Sequence, residues 1–368
     1  MTIIKKIFFD SFFVCSFIFA FLCFFIMIFY AKISLDYDFL YSCFNAVSFK
    51  TIFLLLLFML IICALQNANF LEFLCYLCLK KINNKRALIW LLVMLTFFLS
   101  MFITNDVALL SFVPFALILL NKIKADKIII FTLVMLSLAA NLGSMLTPFG
   151  NPQNMFLFTH YSLSFNDFFQ TAFKYCLLAF ILLNICIFCF VKNEKIPHIK
   201  IDIKINKKII FLNLFLFLLA LLCIFSFLNL YFVLFVVILI LFFTQKEVFL
   251  KLDYALLFSF INLFLAVFFL SKIINYEIKN IFISSIVISF FISNVSASIF
   301  LSNFTNDFKD IFLGVNIAAC TSLISSMANL IAFKFYLTQK NHNKKNYLLS
   351  YTYFSTAFFI LLILFYYI

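Results

Sequence analysis

Apolar runs of bilayer length, divided by short loops that carry lysine, follow one another along the 368-residue sequence. About 20 apolar residues cross a bilayer as a helix. Candidate spans fall at 7–30, 51–66, 128–158 (interrupted), 172–191, 209–227, 230–243, 254–270, 311–333 and 347–367. Two further apolar stretches, 87–120 and 281–304, each carry a polar break near the middle. With 67% hydrophobic and only 11% charged residues, the chain has no polar stretch long enough to suggest a separate soluble domain. The expectation is an all-α polytopic membrane protein. Ile7 to Tyr30 is too long for a signal-peptide core and lacks a small-residue cleavage site, so it reads as the first span.

A net charge of +13 invites a nucleic-acid partner, but at a mean hydropathy of +1.19 it reports topology instead. Lys and Arg favour the cytoplasmic side, so Lys5 and Lys6 put the N-terminus inside. Lys80, Lys81, Lys85 and Arg86 precede the stretch 87–120, and Lys122, Lys124 and Lys127 follow it on the same side. That stretch must enter and leave by one face. Two full crossings satisfy this, as does a re-entrant hairpin with Thr104-Asn105-Asp106 at its tip. Halves of roughly 17 and 14 residues are short for crossings and favour the hairpin. The segment 159–171, which lacks Lys and Arg, falls outside, and the basic loop 192–208, like Lys246 and Lys251, falls inside. Residues 271–280 are then outside, and 281–304 becomes a hairpin entering from the opposite face. Lys334, Lys340, Lys344 and Lys345 are inside, leaving the C-terminus outside. The segment 68–79, with Glu72, Cys75 and Cys78, reads as an interfacial helix.

All three glycines and three of the four prolines lie at or beside polar interruptions. Gly143, Pro148, Gly150 and Pro152 stud the run from Asn141 to Asn154, Gly314 opens a second polar span, and Pro114 follows Thr104-Asn105-Asp106. Glycine releases backbone from a helix by permitting positive φ, and proline does so by removing an N–H. Within a membrane, released backbone survives only when buried in protein or lining a polar cavity. Two patterns occur twice. Phe102-Ile-Thr-Asn105 matches Phe291-Ile-Ser-Asn294, at a sequence offset of about half the chain, and the Asn141 region matches the Asn316 region. With the charge count, this predicts two inverted repeats, 1–191 (hairpin 87–120, broken helix 128–158) and 230–368 (hairpin 281–304, polar helix 311–333). A basic loop and linking crossing, 192–229, joins them. Inverted repeats whose discontinuous helices meet near the midplane are the architecture of secondary transporters.

Asp106 is the one carboxylate deep in an apolar stretch. A buried carboxylate is costly unless protonated, paired or ion-bound, so Asp106 is a candidate H+- or Na+-coupling group; capping the second hairpin helix is the structural alternative. Amides (Asn105, Asn141, Asn151, Gln153, Asn154, Asn294, Asn316) and hydroxyls (Thr104, Thr147, Ser293, Ser296, Thr321, Ser322, Ser325, Ser326) gather at the breaks. Amide oxygens there suit Na+, and helix N-termini suit an oxyanion. No Arg or Lys is embedded in a broken segment. Cys75/Cys78 and Cys186/Cys189 have C-x-x-C spacing, but the three His lie in loops and no second pair adjoins, which reads as apolar filling rather than metal binding.

At these residues the chain resembles the ion-transporter superfamily, which includes arsenite permeases, NhaD-type sodium/proton antiporters, citrate transporters and divalent-anion/sodium symporters. Thr104 to Ala116 looks like a first hairpin motif, Asn141 to Asn154 like the broken span after it, and Ile292 to Ala297 and Gly314 to Ile331 like their second-half counterparts. The resemblance implies hairpin tips meeting broken helices around a substrate site flanked by cation sites, and it makes a homodimer plausible. Carried over residue by residue, it points to Thr104, Asn105, Asp106, Gly150, Asn151 and Pro152, and to Ser293, Asn294, Thr321 and Ser322. Asn141, Thr147, Gly314 and Asn316 join this set from their positions at the breaks, and Asn105, Asp106, Asn151 and Asn294 are the expected Na+ ligands. The symporters carry Ser-Asn-Thr at both tips, whereas here the tips read Thr104-Asn105-Asp106 and Ser293-Asn294-Val295, and the second half has no Gly/Pro break. The expected function is secondary active transport of a small anion, an arsenite-like oxyanion or an organic anion such as citrate, across the bacterial inner (plasma) membrane. Alternating access is coupled to Na+ or H+, with no other cofactor, no enzymatic activity and no nucleic-acid partner expected. A sodium/proton antiporter is the alternative.

Overall fold

The computed structural model describes residues 11–31, 37–79, 82–197, 206–273, 278–339 and 342–368. Lys5, Lys6, Lys80, Lys81, Lys200, Lys204, Lys340 and His198, used in the topology and ligand arguments, lie outside the described residues, as do the side chains of Glu72, Cys75 and Cys78. Among the described residues the fold is helical, and seven helices are long and apolar enough to cross a membrane.

In chain order the helices are α1 (Ser11–Ala31), α2 (Tyr37–Ala46), α3 (Phe49–Asn67), α4 (Phe70–Leu79), α5 (Lys85–Leu99), α6 (Asn105–Lys122), α7 (Asp126–Ser144), α8 (Pro152–His160) and α9 (Phe165–Phe190). There follow α10 (Lys207–Ile224), α11 (Leu230–Thr244), α12 (Glu247–Lys251), α13 (Tyr254–Ser271), α14 (Ile281–Ile292), α15 (Asn294–Leu301), α16 (Phe308–Ala318), α17 (Met327–Leu337) and α18 (Lys344–Tyr367). Asparagine punctuates the starts. Asn84, Asn206, Asn229, Asn280 and Asn343 each accept a hydrogen bond from an N–H of the first turn, satisfying a donor the helix leaves orphaned. Two short helices, α2 and α12, are not among the predicted spans.

At both stretches predicted as hairpins the chain runs helix, turn, helix. In the first, α5 and α6 have 15 and 18 residues joined by a turn at 100–104, so the second arm is longer than predicted and long enough to span. In the second, α14 and α15 have 12 and 8 residues, and Ser293 alone makes the turn. Both broken helices form as well. The first leaves helix after Ser144 and re-enters at Pro152; the second leaves after Ala318 and re-enters at Met327 without any Gly or Pro between.

Packing relates the two sets. α5 lies along α7 as α14 lies along α16, while α17 packs on α6 and α8 packs on α15. Two glycines permit the first of these contacts. A Cβ on Gly143 would lie 2.2 Å from the Phe97 carbonyl oxygen of α5, and one on Gly314 would lie 2.4 Å from Ser285 Cβ of α14. The expected role of glycine is thereby corrected: none of the three has positive φ, and each serves close approach. Outside this core, α1 packs on α13, α3 on α8, α10 and α11, and α9 and α18 flank α7.

Candidate functional site

The first break is built by its own polar residues. Asn151 caps α8, its Oδ1 accepting the Asn154 N–H at 2.8 Å, and Pro152 takes the first helical position, where a missing N–H costs nothing. Gly150 lets the chain fold back on the end of α7; a Cβ there would meet the Ser144 carbonyl oxygen at 2.1 Å. Phe149 lies flat against Phe58 of α3 at 5.6 Å, holding the loop from outside. Thr147 Oγ1 donates to the Met101 carbonyl, tying the loop to the hairpin turn.

Asn154 then caps the frayed end of α7. Its Nδ2 donates to the carbonyls of Ser144 at 3.2 Å and Thr147 at 3.3 Å. In the second break Asn329 Nδ2 donates to the carbonyls of Ala319 and Ser322, both at 2.9 Å. One constant sequence offset, the difference between 329 and 154, converts every residue of the first set into its counterpart in the second. The same offset carries Asn141 to Asn316, whose Nδ2 atoms both bond back to the carbonyl four residues earlier, Ser137 and Phe312. It also carries Asn151 to Ser326.

Across the molecule these groups clasp reciprocally. Asn141 Nδ2 donates to Asn329 Oδ1 at 2.8 Å, and Asn316 Nδ2 donates to Asn154 Oδ1 at 2.8 Å. Ser326 Oγ donates to Asn141 Oδ1 at 2.8 Å, as Asn151 Nδ2 does to Asn316 Oδ1 at 3.2 Å. Residue i meets j′ while i′ meets j, the contact pattern of a two-fold. All these side chains are buried, so any one left unpaired would carry a desolvation cost of about 1–3 kcal/mol. The clasp is closed because each amide finds both a donor and an acceptor.

The hairpin tips reach this clasp by backbone. Asn105 N–H donates to the Gly150 carbonyl at 3.0 Å, and Asn294 N–H donates to the Ser325 carbonyl at 2.9 Å. Gly150 and Ser325 obey the offset of the breaks, whereas the two tip Asn do not, and fewer residues separate the second tip from its break than separate the first. Each tip Asn turns its Oδ1 to the N–H of the next residue, Asp106 or Val295, at 2.9 Å. Four helix N-termini, those of α6, α8, α15 and α17, are thus brought to one polar seam.

The tips differ in what is left over. Asn105 Nδ2 donates to Asn141 Oδ1 at 3.0 Å, but Asn294 Nδ2 is buried without a hydrogen-bond partner. Asp106 Oδ1 is likewise buried without one. Asp106 is not the cap of α6, whose capping position is Thr104; it sits in the first turn. Ser293 has φ 81° and ψ 153°, a backbone conformation that residues other than glycine rarely adopt, whereas Thr104 at the first tip has φ −59°. A cavity of about 380 Å³ opens beside Ser293 and Ser296, walled by Cys15, Ser16 and Phe19 of α1 and by Leu263 of α13.

Of the residues expected at the site, Asn105, Asn141, Gly150, Asn151 and Asn316 share one hydrogen-bonded network, and Asn294 joins it through the Ser325 backbone. Pro152 and Thr147 shape the first break. Thr321 Oγ1 turns back to the Ala318 carbonyl at 2.6 Å, and Ser322 Oγ accepts the Ser325 N–H at 3.0 Å, so both shape the second. Gly314 lies instead against α14, as a packing residue. Of the four expected Na+ ligands, the oxygens of Asn105, Asn151 and Asn294 already accept a backbone N–H, and Asp106 keeps an unpaired oxygen. Asn154 and Ser326, expected only among the polar groups at the breaks, are central to the clasp, and Asn329 and Ser137 join it unexpected. Aligning the two halves on Asn141 and Asn316, rather than on the hairpin tips, identifies Asn329 as the partner of Asn154.

The chain is similar in sequence to several membrane and transporter proteins. An uncharacterized transporter of Methanocaldococcus jannaschii is 34% identical over 304 residues, covering 79% of this chain and 82% of that protein. Inner membrane protein YbiR of Escherichia coli is 34% identical over 148 residues, 39% of each chain. A putative arsB transporter of Dictyostelium discoideum is 25% identical over 151 residues, 41% of this chain and 26% of that one. The citrate transporter family pattern matches residues 7–308, from α1 through both hairpins. The chain is a membrane-spanning transporter and belongs to the citrate transporter family.

Proposed function

We propose that this transporter moves a small anion by alternating access and couples it to a cation at Asp106. The observation that carries the reading is the reciprocal clasp between two breaks related by a single sequence offset, with four helix N-termini at its edge. Helix N-termini present unpaired N–H groups and the positive end of the helix dipole, which suits an anion where no Lys or Arg is available. The unpaired Asp106 oxygen beside the first tip suits H+ or Na+. On this reading 1–191 and 230–368 are inverted repeats, and the lysine-rich loops and N-terminus face the cytoplasm of the inner membrane. Citrate-like carboxylates and arsenite-like oxyanions are the cargo classes to try first.

Flux of labelled citrate and arsenite into proteoliposomes, under imposed Na+ and H+ gradients, tests this for wild type and Asp106→Asn. Anion uptake driven by one gradient, and reduced at least tenfold in the variant, is expected. Uptake indifferent to both gradients refutes coupling. The same unpaired carboxylate oxygen also favours a sodium/proton antiporter, which would show Na+/H+ exchange with no anion present and no anion flux.

A further inference from the structure

The two breaks share one set of capping bonds, yet the covalent reasons for breaking are present in the first alone. In a continuous helix the Ser144 carbonyl would accept the N–H of residue 148, which is Pro148 and has none. The Ala319 carbonyl, its counterpart, faces no such bar, because residue 323 is Leu323. The Ser322 carbonyl would likewise accept the Ser326 N–H. Both carbonyls are drawn off the helical ladder by Asn329 Nδ2, as Asn154 does in the first half. The Ser322 carbonyl has two further donors: Ser325 Oγ at 2.8 Å, from within the break, and Tyr351 OH of the C-terminal helix α18 at 3.0 Å, from outside it. Tyr351 is buried, and the offset that relates the breaks pairs it with Cys176, so the first break has no equivalent phenol. Tyr366, about four turns further along α18, bonds Asp310 Oδ1 in the first turn of α16 at 2.6 Å. The helix α18 thus holds the first turn of α16 and the middle of the break that follows it.

We propose that Tyr351 is a positioning residue that keeps the second break open by competing with the helix for the Ser322 carbonyl, and that this break, unlike the first, can close. The phenol acts on the Ser322 carbonyl, one turn past Ala319, the counterpart of the Ser144 carbonyl that Pro148 leaves without a helical donor. That the open break matters for transport rests on the function proposed above; the competition itself does not.

Hydrogen–deuterium exchange of the full chain in detergent, read on peptides covering 319–326, tests the competition beside transport in proteoliposomes. Tyr351→Phe keeps the ring and removes the donor. Its 323–326 amides should exchange several-fold more slowly, as they join a helix, and transport should fall several-fold. Leu323→Pro places the first half's proline at the matching position. Added to Tyr351→Phe, it should restore fast exchange and bring transport to within about twofold of wild type, a rescue that lost packing would not give. Unchanged exchange in Tyr351→Phe, or exchange that Leu323→Pro fails to reverse, overturns the proposal. Exchange that shifts and reverses while transport stays constant supports the positioning role and counts against the breaks as the transport site.

Discussion

In the first half the chain leaves helix at Met145 and re-enters at Pro152; in the second it leaves at Ala319 and re-enters at Met327. The two gaps are nearly equal in length, and an Asn three positions past the capping residue stitches each of them. The first gap is enforced by Pro148, Gly150 and Pro152. The second is enforced by side-chain donors alone. The tips are unequal in a complementary way: the first carries Asp106, and the second carries a one-residue turn with positive φ at Ser293 and an unpartnered Asn294 amide. Similar geometry therefore needs little shared sequence, provided the carbonyls released at each break find a donor. On the proposal that the second break can close, the half with fewer covalent constraints is the one that moves.

Removing the stitches should have the largest effect. Asn154→Ala and Asn329→Ala each strand several buried partners, at about 1–3 kcal/mol for each one left unsatisfied. Both should lower the apparent melting temperature and abolish transport, and Asn329→Ala should be the more severe, since no proline holds its break. Equal effects would dissolve the distinction between covalent and side-chain locking. Next come the close approaches. Gly143→Ala and Gly314→Ala overpack the α5–α7 and α14–α16 contacts, at a cost of about 1–3 kcal/mol each in thermal stability. Gly143 should suffer somewhat more, because its added Cβ would lie 2.2 Å from the Phe97 carbonyl oxygen, against 2.4 Å from Ser285 Cβ and 2.8 Å from the Phe282 carbonyl oxygen at Gly314.

A smaller change of opposite sign is expected at the second tip. Ser293→Gly relieves a conformation glycine tolerates, and should stabilise the protein by about 1 kcal/mol. A melting temperature that falls would mean that the Ser293 hydroxyl, 3.3 Å from Ser296 Oγ, outweighs the strain. The smallest effect is expected at the loop ends. Lys85 on α5 pairs with Glu194 beyond α9, and that hydrogen bond and charge hold the Glu194 carboxyl below its usual range. A depressed carboxylate contributes stability above its unfolded value and loses it as pH falls through the folded one. Glu194→Gln should thus lower neutral stability slightly and flatten the acid limb of a pH–stability profile by the same small amount. A marked loss at neutral pH would make this tie structural rather than superficial.

Much of the architecture is legible in the sequence because the bilayer limits the choices. Apolar runs of bilayer length have to be helices, Asn at run starts caps them, and Gly and Pro mark the first break. The second break and both tips are visible as polar interruptions. Asn329 escapes the sequence reading because aligning the halves on their tips imposes a larger offset than the one at which the breaks repeat. The second arm of the first hairpin exceeds its expected length because its helix starts at Asn105, inside the polar break, and runs on to Lys122.

Hydropathy, charge and punctuation in the sequence were enough to determine a helical membrane transporter with two interrupted regions, because each follows from local composition and from the cost of bare backbone in lipid. The tertiary structure decided which polar groups spend their hydrogen bonds on one another and which keep some unspent. Asn141, Asn154, Asn316 and Asn329 form a mutual clasp, while an oxygen of Asp106 and the amide of Asn294 stay unpaired. Hydrogen bonding between residues in opposite halves of the chain has no local signature. The partner exists only once the helices have packed.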